Sequence, residues 1–422
     1  MKLYSHQKSI IEEDRKVTGI WHGTGGAKTR TTLELAKNTK TLVIMPKQQF
    51  LDKTWENNRD KFDIQIDLTT ISKETFRRDW EKLPRYETVI IDESHGHFGV
   101  LPDTRQKNKV IIPKTSQLFE ATLKYIQKIR PDRFYMCTAT PVSKPMNVWA
   151  IAKLFGKDWD FFKFREKYYI QRKMGYHSIW LPNNSQANKD KLIELIQMFG
   201  YVGSLSSWFD VPDQIHKNIF VSLTPEQEKE IRIIKQTEAD PMVKRTKLRT
   251  IENGCLYESE IETISGNRER LVKKSHVFKN EKIEHILQLA LEFPKLLIFA
   301  NYTAQVHDIA DKLEKEGYKV FRLTGQTKDR ENLIKEAENL SSCIVVSQSG
   351  ISAGYELKSV RCTIFASLSN RVLDKIQAEG RTLRADNLQK NLFIHLIVKG
   401  GIDELCYNSI EKGVDFSEKI HE

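Results

Sequence analysis

"WHGTGGAKTRTT" (Trp21–Thr32) decides how the first part of the chain reads. Upstream, "TGIWH" is strand-like; downstream, "TRTTLELAK" is helix-like. A glycine-rich turn between a strand and a helix exposes backbone N–H groups at a helix N-terminus, where the dipole favours anions. Gly23, Gly25 and Gly26 give that turn its backbone freedom. Lys28 is placed to reach the β- and γ-phosphates of a nucleotide, and Thr29 to ligate Mg2+. One position departs from the usual pattern: Ala27 stands where glycine normally precedes the lysine. Alone, the stretch reads equally as a phosphate loop or as a plain glycine-rich turn.

Two further stretches weight the reading towards a nucleotide site. "TVIIDESH" is an apolar strand ending in Asp92-Glu93. Such a pair suits a nucleotide hydrolase, with Asp92 holding Mg2+ and Glu93 polarising the attacking water. The bland reading is a capping or turn pair. Near the far end, "QAEGRTLRAD" carries Gln377, Gly380, Arg381 and Arg384. An arginine's planar fork grips phosphate at two points, so either could stabilise charge on a transferring phosphoryl group. Standing alone, the segment would read as a surface helix with two arginines.

Working outward, strand-length apolar runs recur between amphipathic stretches. "TLVIMP" (41–46), "TVIIDE" (88–93), "RFYMCTAT" (133–140), "KLLIFAN" (295–301), "SCIVVSQ" (342–348), "CTIFAS" (362–367) and "LFIHLIV" (392–398) read as buried strands. "TRTTLELAKN", "TAQVHDIADKLEKEG" and "RENLIKEAENL" read as helices between them. Alternating strands and helices imply parallel sheets covered on both faces. The strands form two groups, and the stretch between them looks helical: "WDFFKFREKYYIQRK", "KDKLIELIQMFG" and "TPEQEKEIRIIKQTE". Residues 237–275 are polar and basic and read as helical, mobile or both. The expected fold class is therefore α/β, with two parallel-sheet lobes, 1–154 and 276–422, joined by a mainly helical insertion and linker, 155–275. Trp159, Phe161, Phe162, Phe164, Tyr168 and Tyr169 have helical spacing, which favours a core stripe over a base-stacking surface or a wedge.

Composition narrows the class. The chain has 422 residues, 39% hydrophobic and 29% charged, an ordinary globular balance with room for two or three domains. No run of about 18 apolar residues suggests a membrane span, and the first residues lack the apolar core of a secretion signal. The expected setting is cytoplasmic, in a bacterial or phage-infected cell, with a nuclear setting left open. Cys137, Cys255, Cys343, Cys362 and Cys406 are scattered, with no CxxC or Cys/His cluster, so buried reduced thiols are expected rather than disulfides or zinc. The formal charge of +11 favours a polyanionic partner.

In order along the chain, these motifs resemble those of superfamily-two helicases and translocases, specifically the Swi/Snf-type branch. "LYSHQKSII" is similar to the N-terminal glutamine motif, "GTGGAKT" to motif I and "DESH" to motif II. "LVIMPKQQFLDKTWENNRDKF", with Pro46 and Trp55, resembles motif Ia, and "CTATPVSKPMNVWAIAKLF" resembles motif III. "LLIFANYTAQVHDIADKL" resembles motif IV, with "FRLTGQTKDRENLI" after it. "VVSQSGISAGYELKSV" resembles motif V, with Ser347, Gly350, Gly354 and Leu357 in register, and "QAEGRTLRAD" motif VI.

The resemblance implies two RecA-like lobes and an ATPase using ATP and Mg2+. Gln7 would read adenine, and Gly23, Gly25, Gly26, Ala27, Lys28, Thr29 and Gln377 would help bind nucleotide. Thr29 and Asp92 would hold Mg2+. Lys28, Asp92, Glu93, Arg381 and Arg384 would carry catalysis, with the arginines supplied from the second lobe. Pro46, Thr138, Thr140, Asn301, Thr324, Ser347 and Gly350 would bind DNA or couple it to ATP. The partner would be forked, branched or double-stranded DNA, remodelled by a monomeric motor. Two rivals stand beside this: a double-strand translocase or RNA-directed helicase of the same fold, and a nucleic-acid clamp with a weakened ATPase site.

Overall fold

The structure is a computed structural model. It describes residues 2–107, 110–174, 177–264, 268–351, 355–384 and 387–413, with backbone alone at 174, 177, 259–264, 268–273 and 351. The chain divides into two compact units, Met1–Asp210 and Val211–Glu422. Each is built on a six-stranded sheet in which every pairing is parallel. The α/β expectation holds, and all seven apolar runs form strands of these sheets.

In the first unit the strand order is Gly200–Gly203, Val17–His22, Arg133–Cys137, Thr88–Ile91, Lys40–Met45, Asp67–Ser72. Successive side chains on a strand point to opposite faces. Both faces here are covered, which is why these strands read as continuous rather than alternating apolar runs. Leu42, Ile44, Val89, Ile91, Phe134 and Met136 pack into one core. Their sequence neighbours Val43, Met45, Ile90, Tyr135 and Cys137 pack into a second core on the other face. Gly19 and Gly200 are register partners beneath the Trp21 ring. A Cβ on Gly19 would lie 1.9 Å from that ring, so the indole can lie across the two strands only because both positions lack a side chain.

In the second unit the order is Ile215–Val221, Leu392–Val398, Cys362–Phe365, Lys295–Ala300, Cys343–Gln348, Val320–Leu323. The same alternation places Leu297, Phe299, Val345 and Phe365 in one core and Leu296, Ile298, Val346 and Ile364 in another. All five cysteines are buried and unbridged. Among the described residues no helix is long and apolar enough to cross a membrane.

The stretch 155–275 differs from the expected helical insertion. Its residues up to Asp210 belong to the first unit and the rest to the second. Gly200–Gly203 and Ile215–Val221 each become the edge strand of a main sheet. The polar stretch 237–275 holds the helix Pro241–Glu252 and most of a hairpin, Cys255–Ile264 with Arg268–Val277. A second hairpin, Tyr169–Met174 with His177–Pro182, follows the helix Phe161–Tyr168. Gly200–Gly203 is four residues long, and His216, Lys217 and Asn218 interrupt the apolar signal of Ile215–Val221. The aromatic stripe is core: Phe161, Phe164, Tyr168 and Tyr169 are buried and Trp159 packs on them, while Phe162 is exposed.

Candidate active site

In a parallel sheet all strand C-termini share one edge, where ligand sites form. Three adjacent strands of the first unit, Val17–His22, Arg133–Cys137 and Thr88–Ile91, deliver the candidate phosphate loop, Thr138–Thr140 and Asp92-Glu93 to that edge. Residues far apart in sequence thereby become neighbours.

The loop leaves the sheet at His22 and enters the helix Lys28–Leu35. Gly25 and Ala27 both have left-handed backbones, with φ of 78° and 56°. Gly23 N–H donates to Gly203 O at 2.8 Å, and Gly26 N–H to Gly23 O at 3.1 Å. His22 Nδ1 lies 2.9 Å from Gly26 O and, facing a carbonyl, acts as donor. The Lys28 ammonium donates to His22 O at 2.9 Å and Gly23 O at 3.2 Å. It is thus held over the loop by two carbonyls. Thr29 is half-buried in the helix's first turn. Gln7 is fully buried: its amide donates to Thr31 Oγ1 at 3.1 Å and faces Ala27 O at 3.5 Å, while its carbonyl accepts from Tyr4 N–H. Gln7 therefore ties the helix Ser5–Glu13 to the loop.

Asp92 is buried and held at both oxygens. Oδ2 accepts from Trp55 Nε1 at 2.9 Å, and Oδ1 from Glu93 N–H at 2.8 Å. Burial pushes its carboxyl above the usual range and the charge of Glu93 adds to this; the hydrogen bonds from Trp55 and the Glu93 N–H, with the charge of Lys28, only partly offset it. Glu93 has a left-handed backbone, φ 46°, and Lys73 donates to its carbonyl at 2.6 Å. Burial alone would raise the Glu93 carboxyl, but His95, with Lys28 and Lys73, brings it down to about 2. His95 Nδ1 lies 3.3 Å from Glu93 Oε2 and 3.1 Å from Thr138 Oγ1. Thr138 Oγ1 accepts in turn from Thr140 N–H at 3.2 Å. A polar chain thus runs from the acid pair to the end of the neighbouring strand. Pro46 caps the helix Lys47–Leu51 after another strand end.

Three features escaped the sequence reading. His95 and Lys73 touch the acid pair; the histidine's place two residues after Glu93 was the available signal. Trp55 was noted by resemblance, but its indole contact with Asp92 is a tertiary fact. Trp208, within a stretch read as insertion, stacks on His6 at 4.0 Å and meets His22 edge-on at 4.5 Å. A Cβ on Gly26 would lie 3.2 Å from Trp208, so this indole forms a wall of the loop.

In the second unit, Asn301, Thr324, Ser347 and Gly350 follow or end the strands Lys295–Ala300, Val320–Leu323 and Cys343–Gln348, again at one sheet edge. Gln348 Nε2 faces Asn301 O at 3.5 Å, and Tyr355 OH donates to Ser347 Oγ at 2.9 Å. Thr324 is buried in a tight turn closed by Thr327. Gly354 lies outside the described residues. Arg381 is 6% exposed; Nε donates to Gln377 O and Nη1 to Tyr355 O, both at 2.8 Å. Arg384 is half-buried, with Nε 3.2 Å from Glu356 Oε1. Gln377 is buried on the preceding helix, Val372–Glu379.

A strand–loop–helix holding a lysine, beside an acid pair at the edge of a parallel sheet, is an arrangement in which nucleotide sites form. Comparison with known families carries this one step further. Residues 279–386, about a quarter of the chain, match the family described as "Helicase conserved C-terminal domain". The match indicates a helicase superfamily 1/2 fold and supports a nucleic-acid motor of helicase type. No curated protein matches the chain.

Proposed function

We propose that this protein is an ATP-dependent DNA motor of the Swi/Snf-type branch that remodels forked or branched DNA. The observation that carries the ATPase reading is the meeting of Lys28, Asp92, Glu93 and Thr138 at the ends of three adjacent strands. The helicase match supports the motor reading. Asp92 and Thr29 offer hard oxygen ligands that suit Mg2+. The burial-raised Asp92 carboxyl fits that assignment, because a nearby dication would favour its charged form. Bound there, Mg2+ would neutralise charge on the phosphates.

The roles divide by environment. The Lys28 ammonium exchanges its two carbonyl partners for phosphate oxygens. Glu93, held ionised by His95, orients the attacking water and accepts its proton. The hydrogen-bonded chain from Glu93 through His95 to Thr138 and Thr140 relays the nucleotide state to the nucleic-acid contacts. Arg384, which has one carboxylate to leave, serves as the phosphate-binding arginine. Arg381, buried on two carbonyls, positions the turn that carries it. Contacts from Pro46, Asn301, Thr324, Ser347 and Gly350 go to the DNA backbone, which permits movement along any sequence.

ATP hydrolysis with and without forked DNA tests this, with Lys28→Ala as the comparison. DNA-stimulated turnover that drops by about a hundredfold or more in Lys28→Ala supports the motor. DNA binding without turnover makes the chain a clamp. Greater stimulation by a matched RNA fork reassigns the substrate.

A further inference from the structure

Away from the nucleotide machinery, three side chains with metal-binding atoms converge on one edge of the second unit's sheet. His216 lies on Ile215–Val221 and His395 on Leu392–Val398. These strands pair in parallel with His216 opposite Phe393, so His216 and His395 share a face, two positions apart. Glu379, the last residue of the helix Val372–Glu379, completes the group. One donor atom from each residue lies within 4.8 Å of the other two, and His216 Nδ1 is 3.9 Å from Glu379 Oε1.

His395 is the member that needs explaining. It is 1% exposed, and neither ring nitrogen has a hydrogen-bond partner. Its ring stacks on Phe365 at 4.8 Å and lies 5.2 Å from Tyr407. A phenylalanine would fill that space without burying two unsatisfied polar atoms. Burial and the nearby Lys375 hold its pKa at about 3, so the imidazole is neutral and has a lone pair to give at pH 7.

We propose that His216, His395 and Glu379 form a Zn2+ site fastening the sheet's edge strand to the helix that leads into Gly380 and Arg381. Two imidazoles and a carboxylate are a zinc donor set, with water in the fourth position. Bonds of roughly 2.0–2.2 Å put tetrahedral donors about 3.3 Å apart. The group must therefore contract by up to about 1.5 Å on binding. His216, 42% exposed at its side chain, can supply most of that movement. Lys375 is the competing cation: its ammonium lies 3.2 Å from Glu379 and 2.7 Å from Glu411. Zn2+ would displace it from Glu379 while Glu411 retains it.

The test uses the full chain without nucleotide or nucleic acid, so it stands apart from the motor reading. Zn2+ binding is followed by calorimetry and thermal melting, and Co2+ binding by visible absorption. We expect one ion per chain, a tetrahedral Co2+ spectrum and a raised melting temperature. His216→Ala and Glu379→Gln should each weaken binding at least tenfold and remove the thermal shift. His395→Phe, which keeps the stack on Phe365, should abolish binding while the metal-free melt stays cooperative. His216 is exposed, so its loss leaves the fold intact. No binding by the natural chain, or equal binding by all three variants, overturns the site; equal binding would point to the buried thiols instead.

Discussion

The two units share an architecture and differ in where they hold energetically costly features. Every described non-glycine residue with a left-handed backbone lies in the first unit: Asp14, Ala27, Asn38, Lys53, Asp63, Glu93 and Arg130. In the second, the described positions of that kind are Gly254, Gly317, Gly400 and Gly413. A residue with a Cβ gives up roughly 1–2 kcal/mol there. Beside the buried Asp92 of the first unit, the second unit buries a larger set of charges. Lys282, 1% exposed, donates to Asp403 Oδ2, Asn253 Oδ1 and Ala366 O, each at 2.7 Å. Glu252 accepts from the backbone N–H of Ile402 and Asp403, and Arg249 donates to Asn370 Oδ1 and Leu368 O. The difference teaches a rule. Two of the strained residues, Ala27 and Glu93, adjoin Lys28 and Asp92, groups that under the proposed function would change partners when phosphate arrives. Contacts among Lys282, Asp403, Glu252 and Arg249 join the helices Pro241–Glu252, Glu281–Glu292 and Ile402–Glu411 in one arrangement.

The largest expected effect breaks that partnered set. Lys282→Met leaves Asp403 buried beside Asn253 without its cation, which should cost about 3–5 kcal/mol. All seven tryptophans lie before Asp210, so tryptophan fluorescence reports the first unit and far-UV circular dichroism reports both. The expected outcome in urea is an early loss of ellipticity with an unmoved fluorescence transition. If both shift together, the two units do not unfold separately and the contrast drawn here fails.

Next in size is Trp55→Phe. It removes one of the two hydrogen bonds on Asp92, a contact to a charged group worth roughly 1.5–3 kcal/mol. Asp92 should then be harder to keep ionised and less well aimed. ATP turnover should fall about tenfold, and the Mg2+ concentration for half-maximal rate should rise. A fall in rate with an unchanged Mg2+ requirement would assign Trp55 to packing alone.

Acid should weaken both units. His22 in the first and His395 in the second are held at about 3 by burial, against about 6.5 when unfolded. Between those values the unfolded chain binds the protons and the folded chain does not. Stability is therefore lost as pH falls through that window, by up to roughly 1.4 kcal/mol per pH unit for each histidine. From pH 7 to 5 each contributes a loss of about 2 kcal/mol. His395→Phe should flatten the slope seen by circular dichroism and leave the fluorescence slope as it was.

The sequence made the sheets legible because doubly covered parallel strands are written as unbroken apolar runs, as in "LVIM" and "LLIF". It made Asp92 and Glu93 legible because they end such a run, and Lys28 because a glycine-rich turn between a strand and a helix leads into it. It concealed Gly200–Gly203, whose two glycines carry no hydrophobic signal; Gly200 lets Trp21 lie across the edge, and Gly203 lies against Trp208. It concealed Trp208 as part of the loop's wall, and the indole of Trp55 on Asp92, because a contact between distant segments exists only once the sheet has ordered its strands. The same limit applied to Arg381 and Arg384: close together in one motif, they differ in burial, Arg381 being buried and Arg384 half-buried.

The smallest effect returns to the residue that made the loop look wrong. Ala27 holds φ 56° and ψ 31°, a conformation glycine enters freely. Replacing it with glycine relieves roughly 1–2 kcal/mol of backbone strain. The same change adds roughly 0.5–1 kcal/mol of chain entropy to be lost on folding. The balance is a gain of about 0.5 kcal/mol, read as a slightly later fluorescence transition in urea. A loop that glycine can occupy without strain should also hold nucleotide at least as tightly. If Ala27→Gly instead lowers both stability and nucleotide affinity, the methyl group makes a contact worth more than the strain. The alanine would then be a fitted part of this loop, and Glu93 would be the one strained residue left beside the candidate site among those described.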